Sequence, residues 1–108
     1  MPKIGGPAAN VQVGLVSRPG NPDQPFAFAP MEITVPVGTT VRWTNGDDVF
    51  HTVTSTARLA PRRPSGLFGR SLIRKGDMFQ YTFRKAGTFH YYCQPHSAFM
   101  VGTVTVRG

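Results

Sequence analysis

Cysteine occurs once in this sequence of 108 residues, so no disulfide can form within the chain. Acidic residues are scarce as well. Five Asp and Glu stand against twelve Lys and Arg, a formal net charge of +7. No run approaches the ~20 apolar residues of a membrane-spanning helix. The start, Met1-Pro2-Lys3-Ile4-Gly5-Gly6, has no apolar signal-peptide core. Glycine (12) and proline (10) are abundant while charged residues reach only 16%, which excludes a coiled coil and argues against a mainly helical fold. The 40% of apolar residues, with twelve aromatics, suffice for one packed core and are not a disorder composition. A single domain over residues 1–108 is expected, with residues 1–10 a flexible lead-in.

Short alternating runs separated by turn residues fill the rest. They begin with Val11-Gln12-Val13-Gly14-Leu15, then a Pro-rich loop from Pro19 to Pro25. Met31–Val35, Thr40–Asn45, His51–Thr54, Met78–Arg84, Thr88–Cys93 and Val101–Val106 follow, and Asn45-Gly46-Asp47-Asp48 is a strong turn signal. The pattern predicts an all-β sandwich or barrel of seven or eight strands. Alternation places Val41 with Trp43, Phe79 with Tyr81 and Phe83, and Phe89 with Tyr91 and Cys93 on core faces. His90 and Tyr92 then point outward. Residues 56–75 read as a long basic surface excursion with at most one helical turn.

Eight of the twelve basic residues lie in one stretch: Arg58, Arg62, Arg63, Arg70, Arg74, Lys75, Arg84 and Lys85, with Asp77 the only acid among them. Such a patch is either a solvated face or a docking face for an acidic protein. No helix-turn-helix, zinc-finger or RNA-binding signature supports a nucleic-acid partner.

The chemistry concentrates just past a strand end, where Cys93, His96 and Met100 lie within eight residues. Taken singly, each has an ordinary reading: a buried small residue, a surface histidine and a gap-filling methionine. Together they offer a thiolate, an imidazole and a thioether, which suit copper. His51, at the start of another strand, is the candidate second imidazole. Structural zinc sites take four Cys or His ligands and are poorly supplied here. A cysteine–histidine nucleophile needs an oriented base, and three-residue spacing past an aromatic strand does not resemble that layout. No catalytic residue is assigned. Two His, one Cys and a weak axial Met describe a blue-copper electron-transfer site.

From about Phe28 to Arg107 the sequence resembles the cupredoxins, the small blue copper proteins. The resemblance rests on Val37-Gly38-Thr39-Thr40-Val41-Arg42-Trp43-Thr44-Asn45, on His51-Thr52-Val53, and on Gly87-Thr88-Phe89-His90-Tyr91-Tyr92-Cys93-Gln94-Pro95-His96. Gly102-Thr103-Val104-Thr105-Val106 matches the closing strand. The Cys-x-x-His spacing with an internal proline is similar to plastocyanin, pseudoazurin and amicyanin, whereas His96-Ser97-Ala98-Phe99-Met100 resembles the azurin loop tail.

The resemblance implies a Greek-key β-sandwich with one type 1 copper per chain. His51, Cys93 and His96 would be equatorial ligands and Met100 the weak axial one. Asn45 and Thr52 would steady the ligand loops. The electron would pass through an apolar surface of Phe50, Pro95, His96, Ala98 and Phe99, with Tyr92 a second exit. The implied protein is not an enzyme but a soluble, monomeric one-electron carrier between protein partners. Its location would be periplasmic or otherwise extracytoplasmic, after loss of a signal peptide. The alternatives are a domain of a larger copper oxidase or reductase, and a cupredoxin-like domain that uses no metal.

Overall fold

The computed structural model describes residues 11–22, 25–97 and 99–108. The expected flexible lead-in over residues 1–10 lies outside the described residues. Among those described, nine strands form: β1 (Val11–Ser17), β2 (Phe26–Ala29), β3 (Glu32–Pro36), β4 (Thr40–Asn45), β5 (His51–Thr56), β6 (Gly69–Leu72), β7 (Met78–Thr82), β8 (Gly87–Tyr92) and β9 (Val101–Arg107). They build a Greek-key sandwich of two sheets, ordered β3-β9-β8-β5-β6 and β2-β1-β4-β7. The only helical segment among the described residues is a 3₁₀ turn, Gln94–His96.

The expected strands are present, and two others join them. β2 pairs antiparallel with β1, Leu15 opposite Phe28, so the Pro-rich stretch is a connection within one sheet. β6 lies inside the stretch read as irregular, and no helical turn forms there. Its sequence, Gly-Arg-Ser-Leu, has no apolar alternation. It is a strand because its backbone pairs with β5, His51 opposite Leu72.

Alternation assigns the core well in β4, where Val41, Trp43 and Asn45 are buried and their neighbours are not. Trp43 anchors the aromatic core. Its ring stacks on Phe79 at 5.5 Å and Phe68 at 5.8 Å, and meets Tyr91 edge-on at 5.3 Å. Burying a side chain of this kind contributes ~1.5–3 kcal/mol. Phe83, Tyr91 and Cys93 are buried as expected, while Phe79, Tyr81 and Phe89 are half-buried. Gly102 lies opposite Tyr91 in the β8–β9 pairing, and the Tyr91 ring crosses over it. A Cβ at residue 102 would collide with that ring, so only glycine fits.

The basic excursion is less superficial than its composition suggests. Phe68 is buried in the aromatic core. The Ser65 amide donates to the Ser55 carbonyl at 2.8 Å, and the Arg63 amide to Thr56 Oγ1 at 3.2 Å. Pro64 and Gly66 line a polar hollow with Thr52, Thr54 and Gln94, so the excursion lies over the outward side of β5. All six residues of β5 are therefore buried, its outward threonines included. The expectation for Tyr92 is corrected as well. It pairs with Thr54 on that outward side but is only 4% exposed. It is not a surface exit point.

Candidate metal centre

Three donors meet at one end of the sandwich. His51 opens β5, Cys93 follows β8, and His96 ends the 3₁₀ turn. Cys93 Sγ lies 3.7 Å from His51 Nδ1 and 3.4 Å from His96 Nδ1. One donor atom from each falls within 4.8 Å of the others. His51 and Cys93 are fully buried, and His96 is half-buried. Met100 is buried at the end of the same loop. The Cys93 amide donates to the Met100 carbonyl at 3.0 Å, and the Met100 amide to the His96 carbonyl at 3.0 Å. These bonds close the loop into a compact ring.

The turn before His51 is built by side chains. Asn45 Nδ2 donates to the Val49 and Leu72 carbonyls, each at 3.0 Å, and Asn45 Oδ1 accepts the Asp47 amide at 3.0 Å. Asn45 thus ties the turn to β6. Thr52 fastens the other loop. Its amide points at Cys93 Sγ, 3.3 Å away, and its hydroxyl accepts the Gln94 amide at 2.9 Å.

Two contributors escape sequence reasoning. Asp47, read there only as part of a turn, holds the far nitrogen of His51: Nε2 lies 3.0 Å from Oδ1 and 3.2 Å from Oδ2. That contact directs Nδ1 at the sulfur, as carboxylates do behind metal-bound imidazoles. The spacing of Asp47 four residues before His51 was the available signal. Phe26, on β2, packs against both imidazoles, 5.2 Å from the His51 ring and 4.7 Å from His96.

The electrostatics suit a cation. Partial burial alone would raise the Asp47 carboxyl, but hydrogen bonds from the Val49 amide, His51 and Ser17 outweigh it and hold the group below its usual range. Burial pushes the Cys93 thiol up, against the hydrogen bonds it accepts from Thr52 and His96. Burial, then the proximity of His51, lowers His96, keeping its imidazole neutral. Neutral imidazoles are ready ligands, and a bound metal ion would supply the charge that a buried thiolate needs. Among the described residues no fourth His, Cys or carboxylate joins the group, which disfavours structural zinc. Two imidazole nitrogens and one buried sulfur fit copper. His90 is elsewhere, its Nδ1 2.9 Å from Thr103 Oγ1.

Around the donors, Pro95 and Phe50 are exposed, and Phe99 is half-buried with its ring 5.8 Å from His96. Ala98 lies outside the described residues. The eight basic residues do not all lie at the donor end. Arg70, Arg74 and Lys75 lie on and after β6, at the His51 end, and Arg58 and Arg63 are exposed on the excursion. Arg84 and Lys85 sit before β8, whose six residues separate them from Cys93. That is roughly 20 Å at ~3.3 Å per residue. Arg62 is half-buried and bonded to the Ser97 carbonyl, so it is not a free docking charge.

Comparison with known proteins agrees with this site. Residues 16–107 match the model of copper binding proteins of the plastocyanin/azurin family. A plastocyanin from Scenedesmus fuscus is 32% identical over 76% of the chain and 88% of its own length. An amicyanin from Paracoccus versutus is 30% identical over 94% of the chain and 67% of its own length. A solved purple cupredoxin from Nitrosopumilus maritimus superposes with a TM-score of 0.76 at 33% identity, covering 90% of this chain and 99% of that one. The chain belongs to the cupredoxin family of copper-binding proteins.

Proposed function

We propose that this cupredoxin is a one-electron carrier rather than an enzyme, working between protein partners. One type 1 copper would be held by His51, Cys93 and His96, with Met100 as weak axial ligand. The observation that carries this reading is the convergence of the two Nδ1 atoms on Cys93 Sγ. Copper, when bound, supplies a one-electron couple. The chain's own residues supply rigidity and access. The bonds from Asp47 and Thr52, and the Asn45 network behind them, limit how far the donors can shift between oxidation states. Phe26 and Phe99 shield the imidazoles from water and leave the His96 edge as the exit.

The docking partner we favour is acidic. Phe50 is 44% exposed, Ile73 57% and Met78 52%. The pairing of His51 with Leu72 and the bond from the Asn45 amide to the Asp77 carbonyl gather all three at the donor end. Arg70, Arg74 and Lys75 rim them. An apolar centre for contact with a basic rim for steering suits a carboxylate-rimmed protein surface. Extracytoplasmic, monomeric operation is part of the same proposal.

Redox cycling of the copper-loaded chain tests the function. One electron per chain, taken up and returned reversibly with no loss of metal, is expected. Irreversible reduction, or release of copper on reduction, would rule out a carrier.

A further inference from the structure

The ligand loop is tied to the rest of the protein on two sides, and only one tie belongs to β5. On the Cys93 side, Thr52 and Thr54 hold the loop through Cys93 Sγ, the Gln94 amide and Gln94 Oε1. On the far side stands Ser97, which follows His96 in the helical region of backbone space. The carbonyls of Cys93, His96 and Met100 accept amides from within the loop. The Ser97 carbonyl instead accepts from Nη1 of Arg62, which comes from the excursion. Among the described residues no other hydrogen bond joins the excursion to this loop.

Arg62 differs from its basic neighbours. Its side chain is half-buried, and its Nε is buried without a partner. A guanidinium is strongly solvated in water, so its burial here has to be offset by what it holds. Its base is fixed as well, because the next residue, Arg63, is bonded through its amide to Thr56 Oγ1.

We propose that Arg62 is a positioning residue for the metal centre: it clamps the His96–Met100 half of the ligand loop to the excursion and sets a fixed positive charge beside the His96 ligand. This rests on the copper reading above. Two consequences separate. Clamping slows opening of the loop, which governs release of metal and exchange of the Phe99 and Met100 amides. The charge favours the reduced site, which carries one positive charge fewer, and so raises the potential.

The test uses the full chain with Arg62→Met, Arg62→Lys and, as a neighbouring exposed control, Arg63→Met. Three quantities are read: amide hydrogen exchange of Phe99 and Met100 in the metal-free protein, the rate of copper removal by a Cu(I) chelator, and the reduction potential. Arg62→Met removes a hydrogen bond from a charged donor, which makes opening of the loop about tenfold easier, so exchange and copper removal are expected to speed up by about tenfold and the potential to fall. Arg62→Lys is expected to restore the potential and part of the clamp. Exchange and removal within twofold of wild type in Arg62→Met would overturn the proposal, as would equal effects in Arg63→Met. Hydrogen exchange needs no copper, so failure of the copper reading would show separately, as wild-type protein that takes up no metal.

Discussion

Removing the Asp47 carboxylate isolates the contribution of a residue that cannot itself be a ligand through its present contacts. In Asp47→Ala, His51 Nε2–H loses its acceptor, and so do the Val49 amide and the Ser17 hydroxyl. Ser17 is exposed and can turn to water, but His51 is fully buried. An unsatisfied buried donor costs ~1–3 kcal/mol. The Asp47 side chain is 13% exposed, so water can enter part of the vacated space and the lower half of that range applies. The metal-free variant can shed that cost by a change of tautomer or a turn of the His51 ring, whereas copper on Nδ1 leaves Nε2–H unpaired. Since ~1.4 kcal/mol is a factor of ten, copper affinity is expected to fall on the order of tenfold, within the span seen when such orienting partners are removed. Asp47→Asn keeps an oxygen for Val49 and His51 and should lose less. Chelator competition with visible detection measures both. Wild-type affinity in Asp47→Ala, within twofold, would refute the claim that Asp47 orients His51.

Other outcomes follow from the same geometry. Gly102→Ala forces the Tyr91 ring or β9 to move and should destabilise the fold by ~1–3 kcal/mol, read as a lowered Tm without change of ligands. His90→Ala should keep copper and colour while His51→Ala should not, and the reverse would mean that the β8 register is off by one residue. Met100→Gln should keep a copper–thiolate band and lower the potential; complete loss of copper would show that Met100 is a primary ligand. Arg74→Glu with Lys75→Glu should slow reduction by an acidic partner at low salt, in stopped-flow measurements. Arg84→Glu with Lys85→Glu should not, because charges at the far end lie beyond the ~8 Å screening length. Equal slowing by both pairs would mean that overall charge, not a docking face, governs encounter.

The candidate site was legible because each of its residues sits in a short local pattern: Cys93, His96 and Met100 in one loop, and His51 after a turn signal. The sandwich was legible because half-buried strands alternate, as β4 does through Val41, Trp43 and Asn45. What escaped depended on tertiary placement. β6 is polar in sequence and becomes a strand only by pairing with β5. Alternation put Tyr92 on the outward side, paired with Thr54, but period two cannot say whether that side meets solvent, and Tyr92 is buried. Arg62 looked like one solvated cation among several until the fold carried it to Ser97. Asp47 and Phe26 act on His51 and His96 through side chains whose reach no strand pattern records.

The most direct measurement is the visible absorption and electron paramagnetic resonance spectrum of the chain loaded with one equivalent of Cu(II), beside Cys93→Ser treated identically. An intense copper–thiolate band at one copper per chain, absent from Cys93→Ser, is the expected result. A wild-type spectrum without that band, or an unchanged band in Cys93→Ser, would contradict a copper site built on His51, Cys93 and His96.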